Sequence, residues 1–509
     1  MKLMENVLKH VFNARVGDVL PDSTPLEAAE RLSLDLGQPV LLKREDLTPV
    51  FSFKLRGAYN RIAALSKDQL AHGILAASAG NHAQGVAYSA QRLGAPAHIV
   101  MPRTTPSIKI EAVRRLGAEV DLVGDSYSDA ARHCQRRAEE SGMTLIPPFD
   151  DPHVIAGQGT IALEVLRQAP RDLGSVFVPI GGGGLAAGVA AVVKELRPRV
   201  MVVGVQPDDS DAMRRSLELG HRVALDHVGI FADGVAVREV GELTFEMCQR
   251  YLDDCITVNT DEICAAIKDG FLDTRSILEP AGALGIAGLK RQARAGRLAP
   301  GPAVAIASGA NMSFTRLRYV SERTQVGEHR EAIFAVTIPE RRGSFLQFCN
   351  ALGARSVTEF NYRLADRSEA HVFVGVEVGG LSEATRIAET LREAGYRCVD
   401  LTRDDLAKTH VRHMVGGLAK NAQDEILYRF EFPERPGALA QFLTSLSGRW
   451  NISLFHYRNH GAAYGRVLCG MEVPPAERKE LEATLDTLGF SYAPVGEGPA
   501  TVFLLGQRG

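Results

Sequence analysis

The stretch Ser175-Val176-Phe177-Val178-Pro179-Ile180-Gly181-Gly182-Gly183-Gly184-Leu185 sets six mostly apolar residues against four glycines and then opens a helical pattern that runs to Leu196. Strand, tight turn and helix in that order is the repeating unit of a parallel sheet. Four glycines in a linker would supply slack. Between a strand and a helix they supply close backbone approach, and the partner that suits a helix N-terminus is a phosphate. The turn lacks Gly-Lys-Ser/Thr, so it is no nucleoside-triphosphate loop, and it lacks the dinucleotide spacing. A phosphate outside a nucleotide fits it better.

The same rhythm runs from Pro39 to about Ser313. Apolar runs at Val40–Leu42, Ile74–Ala77, Ala97–Met101, Val120–Val123, Met201–Val205 and Ala303–Ala307 alternate with helical patterns at Gln84–Leu93, Ile108–Leu116 and Ile161–Arg167. This predicts an α/β fold, a largely parallel sheet covered by helices on both faces. Ligands then sit at the C-terminal ends of strands. Two further turns fall there. Ser78-Ala79-Gly80-Asn81-His82 follows Ile74–Ala77, and its backbone N–H groups suit a carboxylate or phosphate; ordinary capping by Ser78 or Asn81 is the alternative. Ser308-Gly309-Ala310-Asn311 closes Ala303–Ala307 and alone signals only a turn. Glu279, in Glu279-Pro280-Ala281-Gly282-Ala283, either caps a helix or faces a site.

Ser52-Phe53-Lys54-Leu55-Arg56-Gly57-Ala58 places one lysine between an aromatic residue and an apolar run. Burial there lowers the amine toward its neutral form, which can form a Schiff base with an aldehyde and then act as a base. The ordinary alternative is a stem laid on apolar surface with the ammonium in water.

The chain has 509 residues, enough for about three or four domains. A net charge of -3 gives no pull toward nucleic acid or an anionic membrane. Its seven cysteines are scattered without a C-x-x-C pair, as in a reducing compartment. Met1 to Leu20 reads as neither signal nor transit peptide, no apolar stretch is long enough to span a bilayer, and a cytoplasmic protein is expected. Arg316 to His329 reads as a connecting segment. Beyond it, Ile338-Pro339-Glu340-Arg341-Arg342-Gly343 is echoed about 94 residues later by Phe432-Pro433-Glu434-Arg435-Pro436-Gly437, and Phe360-Asn361-Tyr362-Arg363 by Phe455-His456-Tyr457-Arg458. Two tandem α+β units follow, each strand, P-E-R-x-G turn, helix, strand. Met414-Val415-Gly416-Gly417 and the run to Glu425 join them. Neither unit gathers a nucleophile, a base and metal ligands, so they read as binding or assembly modules.

Lys43-Arg44-Glu45-Asp46-Leu47, Ser52–Ala58, Ser78–His82 and Gly181–Leu185 together resemble the pyridoxal-phosphate β-family, fold type II. With the C-terminal pair, the chain is similar over nearly its whole length to the biosynthetic threonine dehydratases, or threonine ammonia-lyases. The resemblance implies a tryptophan synthase β-like catalytic domain at 1–320, a linker at 321–330, and ACT-like regulatory domains at 331–412 and 425–509. It implies pyridoxal 5'-phosphate as cofactor, with Lys54 as the Schiff-base lysine and α-proton base. Phe53 would flank the cofactor, Gly181, Gly182, Gly183, Gly184 and Leu185 would hold its phosphate, Asn81 its ring hydroxyl and Ser308 its pyridine nitrogen. Ser78, Ala79, Gly80, Asn81 and His82 would receive the substrate carboxylate, and no metal site is implied. L-threonine, and in part L-serine, would be substrates, isoleucine the inhibitor, valine its antagonist, and a homotetramer the assembly. Related serine racemases carry a serine, their opposite-face acid, where Ala79 stands, so racemisation is not expected. A serine dehydratase of the same fold is the rival enzyme, and a non-catalytic amino-acid-binding regulator the rival of another class; the latter predicts damage at Lys54 or the glycine turn, and neither is damaged.

Overall fold

Strands buried on both faces need side chains that are apolar nearly throughout, and three runs here meet that demand. Ten strands precede Arg316 in the computed structural model, which describes residues 6–327, 330–339, 344–353, 357–364, 369–411, 424–433, 441–442, 445–446, 449–458, 464–496 and 498–505. They are Leu26–Ala28 (β1), Val40–Arg44 (β2), Ile74–Ala77 (β3), Ala97–Met101 (β4), Glu119–Leu122 (β5), Thr144–Leu145 (β6), Ser175–Pro179 (β7), Met201–Pro207 (β8), Asp254–Val258 (β9) and Ala303–Ala307 (β10). β3, β7 and β10 are buried at every residue.

The strands form a six-stranded sheet in the order β1-β2-β10-β7-β8-β9 and a four-stranded sheet in the order β5-β4-β3-β6. Every pairing in them is parallel except β1 with β2. Helices Lys54–Ala63 (α1), Asn81–Leu93 (α2), Pro152–Gln168 (α3), Gly184–Leu196 (α4) and Leu284–Arg294 (α5) follow strands or turns. α4 is apolar nearly all round and buried from Gly184 to Val193, as a helix between packed layers must be. α3 starts where the Asp151 carboxylate accepts the N–H groups of His153 and Val154 at 2.8 and 3.0 Å, with Pro152 in the first turn.

A buried ionic network fixes α1. The Arg56 guanidinium donates to both Glu45 oxygens at 2.8 Å and to Glu164 Oε1 at 2.6 Å, and Lys43 Nζ donates to Glu164 Oε2 at 2.6 Å. Bidentate geometry of this kind offsets desolvation that a single contact would not. It holds the helix that begins with Lys54.

The chain divides into two compact units, Met1–Arg316 and Leu317–Gly509. The segment read as a connection is a helix, Arg316–Gly327 (α6). The second unit contains two sheets. Glu331–Pro339 (β11), Val357–Leu364 (β12), Glu369–Glu377 (β13) and Arg397–Asp400 (β14) pair antiparallel in the order β12-β13-β11-β14. Glu425–Pro433 (β15), Asn451–Arg458 (β16), Tyr464–Glu472 (β17) and Ser491–Pro494 (β18) do the same in the order β16-β17-β15-β18. The order is identical, and both copies break register at the matching place, between Val357 and Glu359 and between Ile452 and Leu454. The P-E-R-x-G turns at 340–343 and 434–437 and the join at 414–423 lie outside the described residues. Among the described residues no helix is long and apolar enough to cross a membrane.

Candidate active site

Lys54 is the first residue of α1, and the Phe53 N–H donates to the Ser308 carbonyl at 3.1 Å, tying the helix start to the end of β10. The amine donates to the Pro148 carbonyl at 3.0 Å and lies 5.2 Å from the centre of the Phe53 ring. Burial lowers its pKa to about 8, against the opposing pull of Glu279. A neutral amine is therefore within reach near physiological pH.

The turn Ser78–His82 leads into α2. Gly80 is the N-cap residue and no side chain caps the helix; Ser78 Oγ instead accepts the Gly80 N–H at 3.2 Å. Capping by Ser78 or Asn81 does not occur because the Asn81 amide is engaged elsewhere. Its Nδ2 donates to Glu279 and its Oδ1 accepts from Asn311 Nδ2 at 2.7 Å. Among the described residues, no protein acceptor takes the N–H groups of Ala79, Asn81 or His82. The His82 ring is buried, with Nε2 on the Ile146 carbonyl at 2.9 Å, and burial followed by Lys54 lowers its pKa to about 3. What His82 offers a ligand on this turn is its N–H.

The glycine turn after β7 is likewise open on its donor side. The N–H groups of Gly181 through Leu185 have no protein acceptor among the described residues. The other side is full: a Cβ on Gly182 would lie 2.3 Å from the Phe149 ring, and Gly183 has a φ of 100° that an L side chain rarely adopts. Phe149 follows Pro148, whose carbonyl holds Lys54, so the seat and the amine share one support. Five unpaired backbone donors at a helix N-terminus fit a phosphate.

Ser308 is buried at the end of β10, and its hydroxyl reaches only the Ala281 carbonyl, at 3.4 Å. Such a loosely held hydroxyl can serve another partner.

Glu279 faces the site. The helix behind it, α5, is capped by Ala283, and the carboxyl meets Asn81. Burial, then the charge of Asp233, raises its pKa to about 7, while the Asn81 hydrogen bond works the other way. Asp233 stands on a short turn, Asp233–Val235, that packs against Gly181. Burial favours its neutral form, yet Arg316 at 3.0 Å and Lys109 at 2.7 Å hold it well below the usual carboxylate range. The Glu-Pro-Ala-Gly signal exposed Glu279; nothing local in the sequence marks Asp233, Lys109 or Arg316, which meet only through the fold.

A partly dry lysine, an anion seat of backbone amides and a lone hydroxyl at the ends of parallel strands define a pyridoxal-phosphate-dependent enzyme. Family models agree: pyridoxal-phosphate dependent enzymes over residues 20–309, and the C-terminal regulatory domain of threonine dehydratase over 322–411 and 416–505. The biosynthetic L-threonine dehydratase IlvA of Burkholderia multivorans is 56% identical over 496 residues, 97% of this chain and 98% of its own. Processed threonine deaminase isoform 2 of Solanum lycopersicum superposes with a TM-score of 0.62 at 49% identity, over 64% of this chain and 89% of that one. Maize serine racemase gives 0.57 at 32%, over 62% and 98%. The chain belongs to the biosynthetic threonine dehydratase family.

Proposed function

We propose that this chain converts L-threonine to 2-oxobutanoate and ammonia, the opening step of isoleucine biosynthesis, with some turnover of L-serine. One observation carries the reading: an amine able to be neutral near pH 8 stands among Asn81, Ser308 and the free amides of Gly181–Leu185. Bound by those groups, pyridoxal phosphate supplies an aldehyde and an electron-withdrawing ring. Ser78, Gly80 and the N–H groups of Ala79, Asn81 and His82 receive the substrate carboxylate. Lys54 removes the α-proton. Phe53 would flank the ring, and the Ser308 hydroxyl would face its nitrogen without the charge that a carboxylate would bring. With a hydroxyl there, the electron withdrawal that the cofactor supplies would be moderate, which would favour loss of the β-hydroxyl over transamination. Ala79 has no proton to exchange, so D-serine does not form.

The reading extends to control. We take 1–320 as the catalytic domain and 331–412 and 425–509 as the effector-binding domains, in a cytoplasmic homotetramer inhibited by isoleucine and relieved by valine. Coupling of about 1–3 kcal/mol between effector and substrate sites would suffice. The test is 2-oxo acid formation by the purified protein with threonine and with serine, repeated across an isoleucine titration. Threonine consumed without a 2-oxo acid, or not at all by cofactor-loaded protein, refutes the catalytic reading. A flat isoleucine response refutes the regulatory one.

A further inference from the structure

The arrangement above leaves one site group without a role. Glu279 is buried, forms no ion pair among the described residues, and has a single side-chain hydrogen-bond partner, Asn81. A buried carboxyl so sparsely paired costs stability, and that cost calls for a functional counterpart. Resting on the proposed function, we propose that Glu279 is a positioning residue that fixes the orientation of the Asn81 amide toward the cofactor.

An asparagine amide can be turned end for end at little steric cost, so its neighbours decide which end faces a ligand. Here both neighbours give the same answer. The Glu279 carboxyl accepts from Nδ2, and Asn311, whose Nδ2 also donates to the Val50 carbonyl at 2.8 Å, donates to Oδ1. A reversed amide would set its Nδ2 against the Asn311 donor and its Oδ1 against the Glu279 oxygen. Two clamps on opposite ends leave one Nδ2 hydrogen uncommitted. That hydrogen is the one available to a ring oxygen.

The surroundings keep Glu279 in place. Its backbone N–H donates to the Gly309 carbonyl at 3.1 Å, so it moves with the turn that carries Ser308. The charged groups around it are Lys54, and Asp233 with its partners Lys109 and Arg316. A glutamine would keep the acceptor for Asn81 while removing the charge; an alanine would remove both.

The test is a double-mutant cycle on cofactor-loaded full-length protein with Glu279→Ala, Asn81→Ala and the double variant, plus Glu279→Gln. Two readouts are taken: kcat/KM for threonine, and the pH at which the absorbance band of the bound cofactor changes without substrate. Glu279→Ala should lower kcat/KM by about tenfold or more, with the double variant little worse than Asn81→Ala alone. Glu279→Gln should recover most of the loss, and the absorbance midpoint should move alike in Glu279→Ala and Asn81→Ala. Additive losses, or a glutamine variant as damaged as the alanine variant, overturn the proposal. Should Glu279→Ala fail to fold, Glu279→Leu replaces it in the cycle, and additivity with Asn81→Ala again overturns the idea. A wild type that shows no cofactor band refutes the proposed function and this inference with it, an outcome distinct from additivity in an intact enzyme.

Discussion

The unit up to Arg316 and the unit from Leu317 put burial to different use. In the first, burial moves three groups of the candidate site toward the neutral form: Lys54 down to about 8, His82 down to about 3 and Glu279 up to about 7. In the second, burial keeps displaced thiols neutral and an ion pair outweighs it at a carboxylate. Burial raises Cys398 to about 11 and Cys469 to about 12, while Arg323 and Arg466 overcome burial to hold Asp405 at about 2. The core of the second repeat is aromatic, with the Phe442 ring 5.0 Å from Phe430 and 4.9 Å from Phe432, and Phe432 5.1 Å from Phe490. Burial pressed onto ionisable groups at strand ends makes reactivity; burial spent on rings makes a scaffold.

That contrast can be broken experimentally, starting with the largest effect. Lys54→Ala should cut threonine turnover by about a thousandfold or more and abolish the cofactor band, since no other amine takes its place. Retained turnover would contradict the assignment of the first unit as reactive. The next test exploits the single tryptophan, Trp450, which packs in the second unit's aromatic core. Its fluorescence reports that unit, while cofactor absorbance reports the other. Arg56→Met leaves Glu45 and Glu164 short of their main donor and should destabilise the first unit by about 3–5 kcal/mol. Phe442→Ala should cost the second unit about 3–5 kcal/mol through the cavity it opens. In urea, each variant should shift its own probe; both probes shifting together in both variants would dissolve the division.

The smallest effect concerns pH. A lysine with a lowered pKa is neutral above that value, so reloading of cofactor-free protein with pyridoxal phosphate should quicken up to about pH 8 and then level off. Below the inflection the neutral fraction falls about tenfold per unit. The linked effect on stability has the same sign: the unfolded lysine keeps its proton up to 10.5, so the folded state gains stability as pH rises from about 8 toward 10.5. Glu279, raised above the unfolded 4.5, costs stability as pH rises from 4.5 to about 7. Loading that still climbs toward pH 10 would restore an ordinary lysine.

Much of the frame was legible in the chain. The runs at Ile74–Ala77, Ala97–Met101 and Ala303–Ala307 coincide with β3, β4 and β10, because buried strands are apolar nearly throughout, with His98 of β4 the one polar residue in the three. β1 and β6 are too short to signal, and β9, Asp254-Cys255-Ile256-Thr257-Val258, lies at a sheet edge where half-burial tolerates polar residues. α3 begins nine residues before the expected Ile161 because its first turns, Pro152 to Thr160, contain two glycines, His153 and Gln158. Arg316 to His329, rich in charge and without a glycine turn, reads as a connection, yet Arg316–Gly327 is helical. Turn positions were readable from glycine; hydrogen-bond direction was not. Whether Asn81 caps its helix or reaches Glu279, far away in sequence, is decided by tertiary contacts.

The anion seat at Gly181–Leu185 is written in main-chain atoms alone. Its donors carry no side-chain charge to lose, and bulk at Gly181–Gly184 meets Val235, Phe149, Met213 or Thr244. The groups proposed to receive the substrate carboxylate belong to a different turn, Ser78 to His82. Asn81 would serve both, so only Ser78, Ala79, Gly80 and His82 are free of a proposed cofactor contact. A lineage that rewrote those four would alter the substrate seat while the phosphate seat stayed fixed.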